Sequence, residues 1–426
     1  MTSQPARMAA RAVGDRPFPD RPPGTDTLPQ IDHILVVMME NHSYDNWLGM
    51  LGRGPGQQPR GDGFTLGPDG RPTAANPVPG GQIQRAFRMP TTCQLDKQPV
   101  QEWTQSHIQF GGGSNDGFVK SGSGPVAMGY WTGEDLPWSY SLAAIFPLGD
   151  RWFAPVLGPT YPNRRYLLAA TSVGMVNDVV PETIVPPPNG TIYDLLDVHQ
   201  IPWRNYYSTF PATSYLFLGD AIRNHDSIVP VDQFFADARS GRLPAFAIID
   251  PGWQASSGER PQNIVHAEAF AASVVQAVMD SPAWPRTLLV WTFDEGGGYY
   301  DHVPPPAAVA PDGIGPDWPA PAYTGFAQYG FRIPAVVVSP WSRPDHVTNV
   351  VHDHTSILAM VERKWNLPAL TRRDAAASDL SDFLDLDQAA FATPPALAAA
   401  LTGPAQLACE KTGPGQIPPP GSVTPS

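Results

Sequence analysis

The amino-acid sequence predicts an α/β fold, an α/β/α sandwich whose central sheet is mostly parallel. Apolar runs of strand length occur at residues 34–39, 243–250, 287–293 and 333–339, and stretches of helical pattern separate them. Strands that alternate with helices are typical of a parallel sheet covered by helices on both faces. The 51 prolines and 39 glycines exceed average abundance, and they predict long, stiffened loops between the elements.

The composition excludes several classes of protein. The chain has 426 residues, enough for a large core, and its hydrophobic share of 42% is ordinary for a globular protein. The formal net charge of −13 argues against nucleic-acid binding, which needs clustered Lys and Arg. No run approaches the roughly 18 apolar residues of a membrane span, so no integral membrane association is expected.

The distribution of proline and glycine suggests how the chain is organised. Residues 1–30 are Pro-rich and predict an N-terminal arm, either ordered by contact or floppy. Residues 31–402 are predicted to form a single large domain. Within it, residues 52–130 and 300–330 are loop-rich insertions and candidates for lids. Residues 403–426 are predicted to form a Pro/Gly-rich C-terminal tail.

Two further features bear on the cellular compartment. Cys93 and Cys409 either pair in one disulfide or stay separate thiols, and no zinc-type CxxC spacing occurs. The first residues are basic but lack the apolar run of about 7–15 residues that a signal peptide needs. With no signal peptide visible the sequence by itself suggests a cytoplasmic protein, and the compartment stays open.

The first predicted strand, residues 34–39, ends in a dense group of polar residues. Six consecutive apolar residues are typical of a strand that is buried on both faces. Glu40, Asn41 and His42 follow at once. Because open α/β folds hold their ligands at the carboxyl edge of the sheet, this segment is a candidate site.

The remaining elements follow from capping residues and apolar runs. Thr160 lies just before a predicted helix, since Pro162 suits a first helical turn and an apolar face follows it. Thr191 and Asp353 are predicted N-caps. The other expected elements are strands at 203–208, 243–250, 287–293 and 333–339 and helices at 268–279 and 354–365.

Two of the predicted strands end in side chains that suit a divalent cation. Glu40 and Asn41 follow the first strand, and Asp294 and Glu295 follow another apolar run. Their oxygens are hard ligands, which favour Ca²⁺, Mg²⁺ or Mn²⁺. The sequence has no G-x-S-x-G, G-x-x-x-x-G-K-[ST] or H-E-x-x-H motif, so serine acyl hydrolase, nucleotide kinase and zincin chemistry lack their anchors.

Thr160 complements this oxygen-rich group. Backbone N–H groups and the dipole at a helix start favour an anion such as phosphate. A neighbouring cation lowers the pKa of a hydroxyl and so activates it as a nucleophile. Thr160 and the oxygen ligands together predict phosphoryl transfer.

Five ordered motifs carry a resemblance to a known family. They are ENHSYDNWLG at 40–49, GPTYPNR at 158–164, ERP at 259–261, TFDEGGGYYDHVPPP at 292–306, and the segment 352–385, which opens with HDHTS. Together they resemble the phosphoesterase family of bacterial phospholipases C and acid phosphatases. The resemblance spans roughly residues 31–386 and implies an alkaline-phosphatase-like fold that hydrolyses phosphate esters.

The resemblance implies roles for the oxygen-rich group. Glu40 and Asn41 match the family's first metal ligands. Asp294 and Glu295 match its second acidic pair, so one divalent metal ion is expected. Thr160 matches the family's Ser/Thr nucleophile, which implies a phosphothreonine intermediate that water hydrolyses.

The resemblance also implies roles for residues around the phosphate. His107 matches a histidine that contacts phosphate or the leaving group. His302 and His354 occupy the YDH and DHTS positions, and His354 is the stronger candidate. Arg260 stands where a histidine is common, and it either clamps phosphate bidentately or lies at the surface. His42 replaces the usual arginine and receives no role.

Each of these residues also has a purely structural interpretation. Glu40 and Asn41 are candidates to cap the following helix, and Thr160 is a candidate cap or turn residue. Asp294 and Glu295 are candidates for a solvated turn before three glycines. The histidines are candidates for ordinary hydrogen-bonded side chains.

The expected function is that of a metal-dependent phosphoesterase acting on phosphate mono- or diesters. Its expected partner is a phosphate-ester small molecule or a phospholipid headgroup. The chain ends soon after the DHTS region, which favours an acid phosphatase, whereas the likeness to lipid-cleaving members favours a phospholipase C type. The alternative is a catalytically weak member that binds a phosphorylated ligand. Exported members of the family are common, and the oligomeric state stays open.

Overall fold

The computed structural model of the chain describes residues 11–94, 97–179, 185–211, 213, 216–253, 255–317 and 325–401. Its strands are β1 His33–Met39, β2 Ala75–Val78, β3 Gln82–Arg85, β4 Phe87–Arg88, β5 Gly129–Tyr130, β6 Leu148–Gly149, β7 Trp203–Tyr207, β8 Ile228–Pro230, β9 Phe246–Asp250, β10 Thr287–Phe293, β11 Ala335–Val338 and β12 Val347–Thr348. Its helices are α1 Tyr44–Leu48, α2 Trp103–Phe110, α3 Pro137–Ile145, α4 Thr160–Ala169, α5 Ile192–Val198, α6 Leu218–Arg223, α7 Val231–Ser240, α8 Ile264–Met279, α9 His354–Trp365 and α10 Arg372–Ala376.

The central sheet joins eight of these strands in the order β12-β6-β11-β10-β1-β9-β7-β8. Strands β8, β7, β9, β1 and β10 run parallel to one another, and β12 is parallel to β6. Strand β11 is antiparallel to both of its neighbours, β10 and β6. The predicted α/β class with a mostly parallel central sheet is confirmed.

Strand β1 lies inside the sheet because its residues are apolar on both faces. Residues 34–39 are at most 1% exposed. Val37 is paired with Trp291 of β10, and Met39 is paired with Phe293 in the same register. The two strands therefore end side by side, and the residues that follow them are neighbours at the carboxyl edge.

Helices pack against the sheet and against one another. Helix α8 has 16 residues, contacts β1 and β10, and packs on α3 and α7. Helix α9 packs on α4 and α10. Among the described residues, no helix is long and apolar enough to cross a membrane.

The boundaries of several elements follow from their caps. Thr191 and Asp353 cap α5 and α9, each through a capping box, as predicted. Helix α8 begins at residue 264 rather than at the expected residue 268, because the Asn263 side chain accepts a hydrogen bond from the first turn.

The segment before β1 lies against the C-terminal end of α9. Residues 11–30 form turns without a helix or strand. The Phe18 N–H donates to Asn366 Oδ1 at 2.9 Å, and the Thr27 N–H donates to the Lys364 carbonyl at 2.8 Å. Contact with the domain thus holds this segment in place.

The predicted insertions and tail are only partly described. The insertion at 52–130 contains the hairpin of β2 and β3 and also α2. Residues 318–324 of the insertion at 300–330 lie outside the described residues, as does the tail at 403–426. Cys409 lies in that tail, so its predicted alternatives with Cys93 stay predictions.

Candidate active site at the carboxyl edge of the sheet

Three neighbouring strands bring carboxylates to one edge of the sheet. Glu40 follows β1, Asp294 follows β10, and Asp250 is the last residue of β9. All three side chains are at most 1% exposed. The Asn41 N–H donates to Asp294 Oδ1 at 3.2 Å, which joins the ends of β1 and β10.

Thr160 faces this edge from the first position of α4. Its Oγ1 lies 3.3 Å from Glu40 Oε2 and 3.2 Å from Asn41 Oδ1, and its hydroxyl donates toward these oxygens. Pro159 rather than Thr160 is the N-cap residue. The Tyr161 N–H in the same turn donates to Asp178 Oδ1 at 2.7 Å.

Arg164 binds all three strand-end carboxylates. Its guanidinium donates to Glu40 at 2.5 Å and to Asp250 and Asp294 at 3.1 Å each. It lies four residues after Thr160, so both side chains project from the same face of α4. The helix therefore delivers a hydroxyl and a buried cation to the same group of carboxylates.

Asp294 and Glu295 are organised by a glycine-rich turn. The Glu295 N–H donates to Asp294 Oδ1 at 2.7 Å, and the Gly297 N–H donates to Glu295 Oε2 at 2.6 Å. Gly297 has a φ of +65°, and a Cβ there would lie 1.9 Å from the Asn41 carbonyl oxygen. Only glycine allows this close approach.

The electrostatics of the group suit a divalent cation. Burial raises the pKa of Glu40 well above its usual range, and Asp294 and Glu259 add to this effect while Arg164 opposes it. Burial and the charge of Asp294 likewise raise the pKa of Glu295. Glu295 Oε1 is buried and accepts no hydrogen bond from any described residue. One guanidinium leaves an excess of buried negative charge, which a divalent cation would neutralise.

His354 lies directly behind the carboxylates. Its Nε2 is 2.9 Å from the Asp294 carbonyl oxygen, and its buried Nδ1 has no partner in the part of the chain described. Burial lowers the pKa of His354 to about 3, so the ring is neutral at physiological pH. Of the predicted histidines, His354 is the one whose ring contacts the backbone of a predicted ligand, Asp294.

His107 lies in the last turn of α2. Its Nδ1 is 2.7 Å from the Trp103 carbonyl oxygen, and its ring centroid is 4.5 Å from that of Trp103. Burial lowers the pKa of His107 to about 4. This ring is also neutral near pH 7, and its predicted contact with phosphate stays a prediction.

The structure places His302 in an ionic cluster with Asp45 and Asp62. Its Nδ1 lies 2.7 Å from Asp45 Oδ2 and its Nε2 lies 3.3 Å from Asp62 Oδ1. Burial alone would lower the pKa of His302, but the charges of Asp45 and Asp301 outweigh it and raise the pKa to about 9. Asp45, Asp301 and His302 have the spacing of a cation site. Arg332 already binds both carboxylates, so the cluster carries its own positive charge.

The Arg260 guanidinium contacts two neighbouring side chains, and its predicted contact with phosphate stays a prediction. Its guanidinium donates to Gln101 Oε1 and lies 4.0 Å from Glu259 Oε1. Glu259 itself accepts a hydrogen bond from Asn41 Nδ2. Within the ERP motif, Glu259 is therefore the residue that contacts the candidate ligands.

Two of the purely structural alternatives, a helix cap at Glu40 or Asn41 and a solvated turn at Asp294 and Glu295, are wrong. Ser43, not Glu40 or Asn41, caps α1 by accepting a hydrogen bond from the Asn46 N–H. The buried acidic pair after β10 is not a solvated turn. His42 is buried, and its ring stacks on that of Tyr299 at 5.1 Å between centroids.

Sequence reasoning missed three residues of this site. Arg164 lies in the recognised GPTYPNR motif, and its spacing of four residues from Thr160 was the available signal. Asp250 ends an apolar strand in the same way as the predicted ligands. Glu259 is the first residue of the ERP motif, in which only Arg260 was considered as a site residue.

A family model and several known proteins match most of this chain. A family model described as the phosphoesterase family matches residues 31–368. Non-specific phospholipase C6 of Arabidopsis thaliana is 30% identical over 385 residues, which cover 83% of this chain and 72% of that protein. Phospholipase C B of Mycobacterium tuberculosis is 28% identical over 443 residues, covering 90% and 81%. Among solved structures, the lipoteichoic acid synthase LtaP of Listeria monocytogenes aligns with a TM-score of 0.42 and 8% identity over 82% of this chain and 76% of that chain.

Proposed function

Because this chain belongs to the phosphoesterase family, we propose that it hydrolyses phosphate mono- or diesters with Thr160 as the nucleophile. The single observation that carries the proposal is the position of the Thr160 hydroxyl. It is buried at the start of a helix and points at Glu40 and Asn41. A helix start suits phosphate oxygens in general, but here Asp178 accepts the Tyr161 N–H of that turn, so the hydroxyl of Thr160 rather than the helix N–H groups supports the proposal.

In the first step, Thr160 Oγ1 attacks phosphorus and displaces the alcohol. The hydroxyl proton passes to Glu40 Oε2, since Asn41 Oδ1 is an amide oxygen and a poor base. The new bond joins Thr160 to phosphorus, and the bond to the leaving alcohol breaks as its oxygen takes up a proton from solvent. In the second step, water attacks phosphorus and loses a proton to solvent, the bond to Thr160 breaks, and Thr160 Oγ1 takes back the proton held by Glu40.

The residues that would hold a divalent ion are Glu40, Asn41, Asp294 and Glu295. When bound, Ca²⁺, Mg²⁺ or Mn²⁺ would supply positive charge that lowers the pKa of a nearby hydroxyl and attracts phosphate oxygens. Two observations support this assignment: Glu295 Oε1 accepts no hydrogen bond among the described residues, and buried carboxylates are in excess. His107 and His354 are neutral, which suits hydrogen bonding better than cationic acid catalysis.

The test compares Thr160→Ala and Thr160→Ser with the unmodified protein. p-Nitrophenyl phosphate and p-nitrophenyl phosphorylcholine serve as monoester and diester substrates, each with added Mn²⁺. We expect Thr160→Ala to lose about 10³-fold or more in kcat, because the nucleophile is removed. Thr160→Ser keeps a hydroxyl and retains measurable turnover. Unchanged turnover in Thr160→Ala would refute the proposed nucleophile.

The choice between monoesters and diesters depends on the ratio of the two rates. The named relatives are phospholipases C, which favours the diester. A phosphorylated peptide that contains Thr160, recovered after rapid acid quenching, would support the covalent intermediate. Burst-phase release of nitrophenol would support it independently.

A further inference from the structure

The Asn41 side chain makes different contacts at the two ends of its amide. Nδ2 donates to Glu259 Oε2, while Oδ1 lies 3.2 Å from Thr160 Oγ1. An ionised carboxylate only accepts hydrogen bonds, so it selects the NH₂ end of the amide. A flipped amide would set its oxygen against Glu259 and turn its NH₂ group toward Thr160.

The backbone of Asn41 is fixed independently of this contact. Its φ of +66° lies in the left-handed region, and its N–H donates to Asp294 Oδ1 at 3.2 Å. The Gly297 backbone packs so closely on the Asn41 carbonyl that no Cβ fits between them. Rotation of the side-chain amide is therefore the main freedom that Asn41 retains.

Glu259 is itself held at a set position. Its N–H donates to Ser257 Oγ at 3.0 Å, and the Ser257 carbonyl accepts the Glu40 N–H at 2.8 Å. The Arg260 guanidinium lies 4.0 Å from the other carboxylate oxygen. The segment that carries Glu259 is thus tied to the segment that carries Glu40 and Asn41.

We propose that Glu259 is a positioning residue that fixes the Asn41 amide with Oδ1 toward Thr160 and the cation-binding oxygens. The acceptor set of Glu40, Asp294 and Glu295 then gains a fourth oxygen rather than an NH₂ group, which repels a cation. Partners that orient a metal ligand in this way typically change metal affinity by about 10- to 100-fold. The catalytic consequence rests on the proposed function above, whereas the orientation of Asn41 does not.

A double-mutant cycle tests whether Glu259 acts through Asn41. The proteins are the unmodified chain, Glu259→Ala, Asn41→Ala and the double variant, all measured at the same pH. Calorimetric titration with Mn²⁺ gives the metal affinity without turnover, and p-nitrophenyl phosphate gives kcat and KM.

We expect Glu259→Ala to weaken Mn²⁺ binding by about tenfold or more and to lower kcat more than it changes KM. In the Asn41→Ala background, the same change should have at most about a twofold effect, since its target is gone. Equal effects in both backgrounds would overturn the proposal, and so would no effect in the unmodified background.

Glu259→Gln serves as the conservative variant and replaces Glu259→Ala in the cycle if that protein does not fold. It keeps an acceptor oxygen for Asn41 Nδ2, so we expect it to recover most of the lost Mn²⁺ affinity. Glu134→Ala is the matched control, because Glu134 is exposed and pairs only with Arg88 among the described ion pairs. If the unmodified protein binds Mn²⁺ but turns over no ester, the proposed function fails while the cycle on affinity still decides the role of Glu259.

Discussion

Arg164 Nη2 donates to Glu40 Oε1 at 2.5 Å, and both side chains are 1% exposed. The pair connects the helix that carries Thr160 to the end of β1. Because the same guanidinium also binds Asp250 and Asp294, its removal would leave three buried carboxylates without their common partner. The ion pairs that position the active-site residues are therefore also expected to contribute to the free energy of unfolding.

We expect Arg164→Met to lower the free energy of unfolding by about 3–5 kcal/mol, the cost typical of breaking a buried ion pair from one side. Urea denaturation followed by tryptophan fluorescence measures it. Arg223→Met is the control, since the Arg223 side chain is 59% exposed in its pair with Asp194, and its effect should stay below about 1 kcal/mol. Similar losses in the two variants would contradict the role assigned to Arg164.

Gly297→Ala should disturb the site by steric clash. Its Cβ would lie 1.9 Å from the Asn41 carbonyl oxygen, so the turn after β10 has to shift. Gly112→Ala is the matched control, because Gly112 has a similar φ of +67° but nothing within 4 Å of a new Cβ. We expect Gly297→Ala to cost about 1–3 kcal/mol more in unfolding free energy and to reduce turnover sharply. Equal losses of stability in the two variants would show that the positive φ, and not the clash with Asn41, accounts for the effect at Gly297.

His302 predicts a pH dependence of stability. Its pKa is about 9 in the fold against 6.5 for the unperturbed ring, so the folded state binds the proton more tightly. This contribution is fully present below pH 6.5 and is lost as pH rises through 9. We expect the unmodified protein to lose about 1–3 kcal/mol over that interval relative to His302→Gln. Unfolding free energies from guanidinium chloride titrations at several pH values measure this. If the unmodified protein and His302→Gln show the same pH dependence, His302 is not the group responsible.

Divalent cations should stabilise the folded protein through the four predicted ligands. Free Mn²⁺ at about 100 times its Kd would add about 2.7 kcal/mol, and chelation should reverse the resulting rise in the thermal midpoint. Glu295→Gln should reduce the rise, because Glu295 is a predicted ligand and its buried Oε1 accepts no hydrogen bond from a described residue. Glu268→Gln is the control: Glu268 is also buried, and its Oε2 likewise lacks a partner among the described residues, but its Oε1 accepts from the Ser139 N–H and it shares no described hydrogen bond with a predicted ligand. An equal rise in both variants would remove Glu295 from the ligand set.

The elements that were predictable are those whose signal is local. Strands β1 and β10 are mostly apolar, and Asp353 is a residue of the type that caps a helix such as α9. The two-residue strands β6 and β12 carry no such pattern, because their place depends on pairing with distant residues. Edge pairing of this kind cannot be read from a short segment.

The site divides in the same way. Motif spacing identified Thr160, Glu40 and Asp294, which the structure brings together. Arg164 was not predicted, since an arginine within a helix is usually solvent-exposed and only the fold shows it buried among carboxylates. His302 was the weaker of the two candidates beside the phosphate; its ring contacts Asp45 and Asp62, and its predicted role at the phosphate stays a prediction.

The register between β1 and β10 connects enzymatic turnover to correct folding. A slip of one residue between these strands would move Glu40 by about 3.3 Å relative to Asp294 and turn its side chain to the opposite face of the sheet. The groups around Thr160 come from positions that are far apart along the chain, so no fragment assembles them alone. Catalytic competence would therefore appear only after the central strands have found their native partners, which makes turnover a sensitive assay of correct refolding.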